Sequence, residues 1–168
     1  MRKVMIVVLA AGVVLSLFYI SAWGDKKGLV GKAAPEIALA SSLNSTGKPS
    51  LASLKGKVVL LEFWATWCGP CRMAIPHLQK LHDTYGEKGL VIISVSSEDA
   101  ETVKEFVADN KMTFRIGIDD NDKTMTTYGV QYIPMAFLID TTGRIIWYDN
   151  TLKLKDEQIE AALKAVKA

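Results

Sequence analysis

The sequence predicts an α/β fold in which a mixed central sheet carries helices on both faces. First, strand-like runs alternate with segments of helical spacing along most of the chain, which is the order of elements in α/β proteins. Second, Val58–Trp64 and Leu90–Val95 are apolar on both sides, as expected for strands that are covered on both faces. Third, residues 136–139 and 145–148 form a hairpin around Gly143, which makes one side of the sheet antiparallel.

The first elements of the predicted domain are a small hairpin and a long helix. Ile37–Leu39 and Pro49–Leu51 flank the turn-forming run Asn44–Gly47 and predict the N-terminal hairpin. Pro70–Tyr85 has helical spacing, and Pro76 inside it is expected to kink the helix. The apolar positions available for its core face are Met73, Ile75, Leu78 and Leu81.

The later elements continue the alternation of helix and strand. Glu98–Asn110 predicts a helix, Phe114–Ile118 a third inner strand, and Lys123–Tyr128 a short helix. Asp156 is expected to cap a last helix that runs to about Val166. The helix over 98–110 is expected to bury Val103, Phe106 and Val107.

The N-terminus has the pattern of a targeting segment. Arg2 and Lys3 precede an apolar run from Val4 to about Ile20, which is long for a cleaved signal and short for a membrane span. A retained anchor crossing the membrane through residues 4–23 is favoured over a cleaved signal peptide. The predicted organisation is therefore a segment 1–24, a linker 25–34 and one domain over 35–168. We expect that domain on the outer, periplasmic side of a bacterial inner membrane, or soluble in the periplasm after cleavage.

The charge balance argues against a nucleic-acid partner. Without residues 1–24, the chain carries 18 basic and 18 acidic residues and is formally neutral. A nucleic-acid surface requires a concentrated basic patch, and the sequence contains none.

The two cysteines of the chain, Cys68 and Cys71, stand three residues apart. A disulfide across so short a loop barely restrains the unfolded chain, so the pair is better explained by redox chemistry. Cys68 lies between a strand and a helix that starts near Pro70, where unpaired N–H groups and the helix dipole favour a thiolate. Gly69 lets a substrate backbone approach closely. Cys68 is therefore predicted as the exposed nucleophile and Cys71 as the buried resolving thiol, joined in the oxidised form by a Cys68–Cys71 disulfide.

A zinc site is the alternative for two such cysteines, and it would need two further ligands. The chain has two histidines, His77 and His82, on the predicted helix over 70–85. Five residues apart, they point about 140° away from each other, and we assign them to the helix surface. Redox chemistry is favoured, with no bound metal and no cofactor.

Glu62 and Trp67 are the other candidate site residues found by position. Glu62 interrupts an apolar strand six residues before Cys68, so the strand could carry its carboxylate beneath the disulfide. A buried carboxylate there could accept the proton of the resolving thiol. A solvent-facing glutamate on an edge strand is the alternative. Trp67 is either an ordinary core residue or a partly exposed substrate contact, and its place at the end of a strand next to Cys68 favours the contact.

These residues together resemble the thioredoxin superfamily, and within it the TlpA/ResA-like branch of membrane-associated bacterial proteins. The run Phe63–Cys71 is close to the active-site run of thioredoxin, and Cys-Gly-Pro-Cys matches it. The branch also has an N-terminal hairpin, here at about 36–52, and a central helix–strand insertion, here at about 98–118. The resemblance implies a thioredoxin fold with Pro134 cis and packed against the disulfide. It further implies that the Ile133 backbone pairs with an extended substrate and that Glu62 matches the buried aspartate of thioredoxin.

The resemblance also implies an activity, a thiol–disulfide oxidoreductase that reduces disulfide-containing proteins. The usual substrate of the branch is apocytochrome c, and its electrons come from a DsbD- or CcdA-type membrane protein; we expect a monomer. Two departures stand out, since Ala74 replaces a glutamate common in close relatives and Met135 replaces a threonine. Alternatives are a thiol oxidase, a thiol peroxidase and a copper-delivery protein of the same fold.

Overall fold

The computed structural model describes residues 28–164. The predicted targeting segment, residues 1–24, lies outside the described residues, as does Val166. Over residues 28–164, no helix has the length and apolar character needed to cross a bilayer.

The core of the domain is one sheet of six strands, arranged in the order β1-β4-β3-β2-β5-β6. β2, β3 and β4 are mutually parallel, whereas β1 pairs antiparallel with β4, and β5 and β6 are antiparallel at the other side. The predicted mixed sheet is confirmed. The strands are β1 Leu39–Leu43, β2 Val58–Phe63, β3 Leu90–Ser96, β4 Arg115–Asp119, β5 Met135–Ile139 and β6 Ile145–Asp149.

Within residues 28–164, four helices and two short 3₁₀ segments connect the strands. The helices are α1 Gly69–Tyr85, α2 Ala100–Asp109, α3 Lys123–Thr127 and α4 Asp156–Lys164. The 3₁₀ segments are Ala52–Leu54 and Thr151–Lys153. The predicted central insertion is confirmed, because α2 and β4 stand between β3 and α3 and extend the sheet beyond β3.

The alternation of side chains along β2 divides the core into two layers. Val58 and Leu60 belong to the layer that also holds the buried faces of α1, α2 and α4. Leu61 and Phe63 belong to the opposite layer, which is covered by Tyr128 and by the segment before β2. Both faces are therefore covered, with three of the four helices described here on one of them.

The predicted N-terminal hairpin is wrong. Leu39–Leu43 pairs with β4 instead of with Pro49–Leu51. Asn44, at φ 56°, donates from its side-chain amide to two carbonyls in the α2–β4 region, at 2.8 and 3.0 Å, and so fixes the turn against that loop. The returning chain is held by the Glu36 carboxylate, which accepts from the N–H groups of Leu51 and Ala52. Because these two N–H groups donate to Glu36, they cannot pair with a neighbouring strand, and the chain continues into a 3₁₀ segment.

Three details of the predicted helices are also corrected. Met73 is 66 % exposed, and the core face of α1 instead includes Ala74 and Tyr85. Phe106 is only partly buried and packs beside Trp64, with 5.5 Å between ring centroids. Asp156 is the first residue of α4 instead of its cap. Its carboxylate lies near Lys80 and His77 of α1, whereas the Gln158 side chain accepts from Lys155 N–H.

The end of the predicted linker belongs to the folded domain. Gly31 N–H donates to the Ile145 carbonyl at 2.7 Å, and Ala34 N–H donates to the Gly143 carbonyl at 2.8 Å. Arg144 donates in turn from its guanidinium to the Gly31 carbonyl. Residues 31–34 are thus tied to the β5–β6 connection.

Candidate active site

The Cys68–Cys71 disulfide sits at the first turn of α1. The two sulfurs are bonded at 2.06 Å, with 5.2 Å between the Cα atoms. Cys68 is the N-cap of the helix, in an extended conformation, and its Sγ accepts from Cys71 N–H at 3.2 Å. Pro70 stands in the first turn, where its missing N–H leaves no broken hydrogen bond. The Cys68 sulfur therefore lies where helix N–H groups stabilise negative charge.

The exposure of the two cysteines differs from expectation. Cys68 is only 5 % exposed and Cys71 is 1 % exposed, so both are buried in the oxidised form. The predicted exposed nucleophile is corrected to a buried one, because the Cys68 sulfur is turned into the apolar layer that contains Cys71 and Trp64. The neighbouring Trp67 side chain is 74 % exposed, and Gly69 and Pro70 are also at the surface.

Glu62 is buried in the middle of the sheet. It stands on β2 opposite Ser94 of β3 and Ala136 of β5, and it is 1 % exposed. An edge-strand, solvent-facing glutamate is therefore excluded. Strand alternation places Glu62 on the same face as Leu60, the face of the layer that contains both cysteines.

The burial of Glu62 changes its acidity. Desolvation raises the pKa of its carboxyl group from 4.5 to about 8, opposed by the smaller effect of the Ser94 hydroxyl. The hydroxyl gives little compensation because Glu62 Oε1 and Ser94 Oγ each lack a hydrogen-bond partner of good geometry. A carboxyl group with this pKa can take up or release a proton near neutral pH.

The Ile133–Pro134 peptide bond is cis, as the resemblance implied. Phe63 at the end of β2 pairs with Met135 at the start of β5, so Pro134 lies at the edge of the sheet where the cysteine loop begins. The Pro134 carbonyl accepts from Thr151 N–H at 3.4 Å. Ile133 is partly buried between the two layers. The packing of Pro134 on the disulfide and the pairing of Ile133 with a substrate stay predictions.

The histidines are half-buried and not simple surface residues. His77 Nε2 lies 3.8 Å from an Asp156 oxygen, and the His82 ring packs beside Phe114 with 6.4 Å between centroids. Over residues 28–164, no group of three or more histidine, cysteine or acidic side chains could hold a metal ion.

Ala74 lines a cavity of about 150 Å³ one turn beyond Cys71. The other lining residues are His77, Thr151, Leu152 and Leu154. No acidic residue lines this cavity. Among residues 28–164, the buried carboxyl groups are those of Glu62 and Asp119. Asp119 is occupied with the N–H groups that open α3, which leaves Glu62 as the buried acid on the disulfide side of the sheet.

A contact at the active-site loop was missed at the sequence level. The Glu98 carboxylate accepts from Thr66 N–H at 2.7 Å and from the Thr66 hydroxyl at 2.6 Å. The signal available was an acidic residue directly after a parallel strand, since the carboxyl ends of adjacent parallel strands meet at one edge of the sheet.

Comparison with known proteins shows the family of the chain. Residues 30–148 match the AhpC/TSA family. The chain is 35 % identical over 166 residues to thiol-disulfide oxidoreductase ResA of Bacillus thuringiensis, covering 98 % of this chain and 94 % of that protein. With ResA of Geobacillus kaustophilus, it shares 31 % identity over 169 residues, covering 99 % and 95 %.

A solved structure agrees with the fold. A crystal structure described as thiol:disulfide interchange protein DsbE from Chlorobium tepidum superposes with a TM-score of 0.72 and 32 % identity, covering 80 % of this chain and 97 % of that one. These matches and the Cys68–Cys71 pair lead to one conclusion. The chain belongs to the thioredoxin-like AhpC/TSA family and, like its ResA relatives, is a thiol-disulfide oxidoreductase.

Proposed function

We propose that this oxidoreductase works as an extracytoplasmic, membrane-tethered reductant of protein disulfides. The observation that carries the proposal is the position of Cys68 Sγ at the start of α1, 3.2 Å from the Cys71 N–H group. That position stabilises a thiolate, and a thiolate is the species that attacks a disulfide.

The reaction transfers two electrons from the Cys68–Cys71 dithiol to a target disulfide. The Cys68 thiolate attacks one target sulfur, so a Cys68–target bond forms, the target disulfide breaks, and the other target sulfur leaves as a thiolate. The Cys71 thiolate then attacks Cys68 Sγ. The Cys68–Cys71 bond forms and the second target sulfur leaves, so the target is reduced and this protein is oxidised.

Glu62 acts at the second step in this proposal. Cys71 must lose its proton before it can attack, and it is buried away from solvent. Glu62 lies on the same side of the sheet, and its pKa of about 8 is suited to accepting a proton near neutral pH. The transfer is direct or passes through one water.

The substrate is held at the edge of the sheet around the disulfide. Trp67, with most of its surface exposed, offers an apolar contact to an incoming chain. The backbone at Ile133 offers hydrogen-bonding groups beside Pro134, in the way that an extended peptide adds to a sheet edge. The close approach needed for sulfur exchange is eased by Gly69, because no atom lies within 4 Å of where its Cβ would be.

The proposal also covers the direction of electron transfer and the cellular location of the protein. By resemblance to thioredoxin, the Gly-Pro pair between the cysteines implies a reducing potential, nearer to about −270 mV than to about −120 mV. A reductant outside the cytoplasm needs electrons delivered through the membrane, for which a DsbD- or CcdA-type donor is the candidate. The N-terminal apolar run supports tethering, and an apocytochrome c before haem attachment is the candidate target.

Trapping in cells tests the activity. In Cys71→Ser, Cys68 can attack but nothing releases the adduct, so targets should accumulate as mixed disulfides that reducing agents dissolve. Cys68→Ser is the matched control and should trap nothing. Equal adducts in both variants would contradict the proposal.

Direction and location need separate measurements. Equilibration with graded dithiothreitol buffers gives the potential, and a value near that of a strong oxidant would overturn the reducing role. For location, a membrane-impermeant thiol reagent should label Cys68 of the reduced protein in spheroplasts without lysis. Labelling only after lysis would overturn the extracytoplasmic assignment and leave the chemistry intact.

A further inference from the structure

We propose that Glu98 is a positioning residue for the nucleophile: its carboxylate holds the turn that presents Cys68. Glu98 lies two residues after the end of β3, outside the cysteine motif. The inference concerns the attack by Cys68 and is independent of the compartment, the electron donor and the direction of the reaction.

The contact uses both carboxylate oxygens of Glu98. Oε2 accepts from Thr66 N–H at 2.7 Å, and Oε1 accepts from the Thr66 hydroxyl at 2.6 Å. Oε2 also accepts from the hydroxyl of Ser96 at 3.0 Å. Ser96 is fully buried at the end of β3, and its Oγ accepts from Glu98 N–H at 3.2 Å. The Glu98 carboxylate is thereby hydrogen-bonded to the end of β3 through Ser96 and to the active-site turn through Thr66.

Thr66 belongs to the turn that ends at the nucleophile. Cys68 N–H donates to the Ala65 carbonyl at 3.1 Å, so Thr66 and Trp67 are the central residues of a four-residue turn. The chain before the turn is held by Trp64 N–H, which donates to the Val95 carbonyl at 3.1 Å. Thr66 lies between these two hydrogen bonds, and its N–H group has no acceptor within the turn. The Glu98 carboxylate accepts from that N–H group and so holds the middle of the turn.

Helix capping does not explain Glu98. The N-cap of α2 is Asp99, whose carboxylate accepts from the N–H and hydroxyl groups of Thr102. Asp99 completes that task without help, so the Glu98 side chain is directed entirely towards Ser96 and Thr66.

A positioning role and a purely electrostatic role of Glu98 predict opposite effects of its removal on the rate of attack by Cys68. Hydrogen bonds to an ionised group are among the stronger ones in proteins, and an attacking atom displaced by a fraction of an ångström loses reactivity. Removing the carboxylate should therefore slow the attack by Cys68 if Glu98 positions the turn. If instead its charge were the main effect, neutralisation would favour the thiolate and speed the attack below the thiol pKa.

The test uses the full chain with Cys71→Ser, so that Cys68 is its one thiol. The rate of mixed-disulfide formation with insulin is measured across pH, and the absorbance of the thiolate gives its ionisation in the same samples. Glu98→Gln removes the charge and one acceptor. Glu101→Gln is the matched control, since Glu101 is an exposed glutamate on α2 that pairs with Lys104 at 3.2 Å. Thr66→Val and Thr66→Ser test the other side of the contact.

We expect Glu98→Gln to slow the attack by about tenfold at a pH where Cys68 is fully ionised, and Thr66→Val by about threefold. Thr66→Ser keeps both hydrogen bonds and should restore the rate, and Glu101→Gln should leave it unchanged. An unchanged or faster rate in Glu98→Gln would overturn the inference. The inference would also be overturned if the slower attack in Glu98→Gln disappeared once the rate was divided by the fraction of folded protein. If Glu98→Gln fails to fold, an unchanged rate in Thr66→Val overturns it.

Discussion

Replacing Glu62 by glutamine should remove a large pH dependence of stability. The Glu62 carboxyl group is buried at 1 % exposure between Ser94 and Ala136, and burial raises its pKa from 4.5 to about 8. The folded protein therefore binds this proton more tightly than the unfolded chain. Its contribution to the free energy of unfolding is fully present below pH 4.5 and is lost as the pH rises to about 8.

The size of this effect follows from the two pKa values. Each pH unit between them lowers the free energy of unfolding by about 1.4 kcal/mol. The full interval corresponds to about 5 kcal/mol, and the interval from pH 5.5 to 7.5 to about 3 kcal/mol. That loss is a large fraction of the stability of a domain of this size.

Urea unfolding of the oxidised protein at pH 5.5 and 7.5, followed by tryptophan fluorescence, measures the effect. Glutamine has nearly the same shape and does not titrate, so Glu62→Gln should lose about 3 kcal/mol less than the wild type over this range. Glu101→Gln, which changes an exposed glutamate, should behave as the wild type does. Parallel pH profiles for wild type and Glu62→Gln would refute the assignment of a raised pKa to Glu62.

The same variant separates the structural from the chemical role of Glu62. If its carboxyl group accepts the proton of Cys71, insulin reduction by Glu62→Gln should be slower than by the wild type. The difference should grow as the pH rises towards about 8, because more of the wild-type Glu62 is then ionised and able to accept a proton. The initial attack by Cys68, measured in the Cys71→Ser background, should be unaffected. Turnover rates identical to wild type at every pH would remove Glu62 from the mechanism.

Three further predictions concern the core, a buried cap and the substrate surface. Leu60→Ala deletes a fully buried side chain of the core layer shared with α1, α2 and α4 and should lower the free energy of unfolding by about 3 kcal/mol in urea. Asp119→Ala leaves the N–H groups of Thr124 and Met125 without their acceptor and should cost about 2–3 kcal/mol in the same assay; a loss below about 0.5 kcal/mol would show that water replaces the carboxylate. Trp67→Ala removes an exposed side chain, so it should raise KM for insulin several-fold and leave unfolding unchanged, and a changed rate with a small disulfide would place Trp67 in the chemistry instead.

The inner sheet could be predicted from the sequence because burial on both faces leaves a direct compositional signal. Val58–Phe63 and Leu90–Ser96 are uninterrupted apolar runs apart from Glu62 and two serines. The N-terminal segment carries no comparable signal. Its strand forms hydrogen bonds with β4, more than seventy residues away in the chain, and the deciding contact is the Asn44 amide on distant carbonyls. Local turn residues cannot reveal such a partner.

The candidate site was predictable to the extent that it is local. The four-residue motif fixes Cys68 and Cys71 at a helix start, and an acid in an apolar strand predicts burial. The exposure of Cys68 was not predictable, because it depends on how the disulfide turns into the layer beneath. The role of Glu98 depends on two loops meeting at the edge of the sheet, which requires the strand order β3-β2.

Glu62 and Glu98, the two acidic residues of the proposed mechanism, have opposite surroundings. Glu98 receives three hydrogen bonds and is half-exposed, which suits a group that holds a loop in place. Glu62 is buried with one oxygen that lacks a partner, which suits a group that gains and loses a proton. The proposed mechanism uses both kinds, because Cys68 must be presented to a target while Cys71 must be deprotonated away from solvent. The sheet separates the two tasks, placing one carboxyl group in β2 under the helix and the other beyond the end of β3.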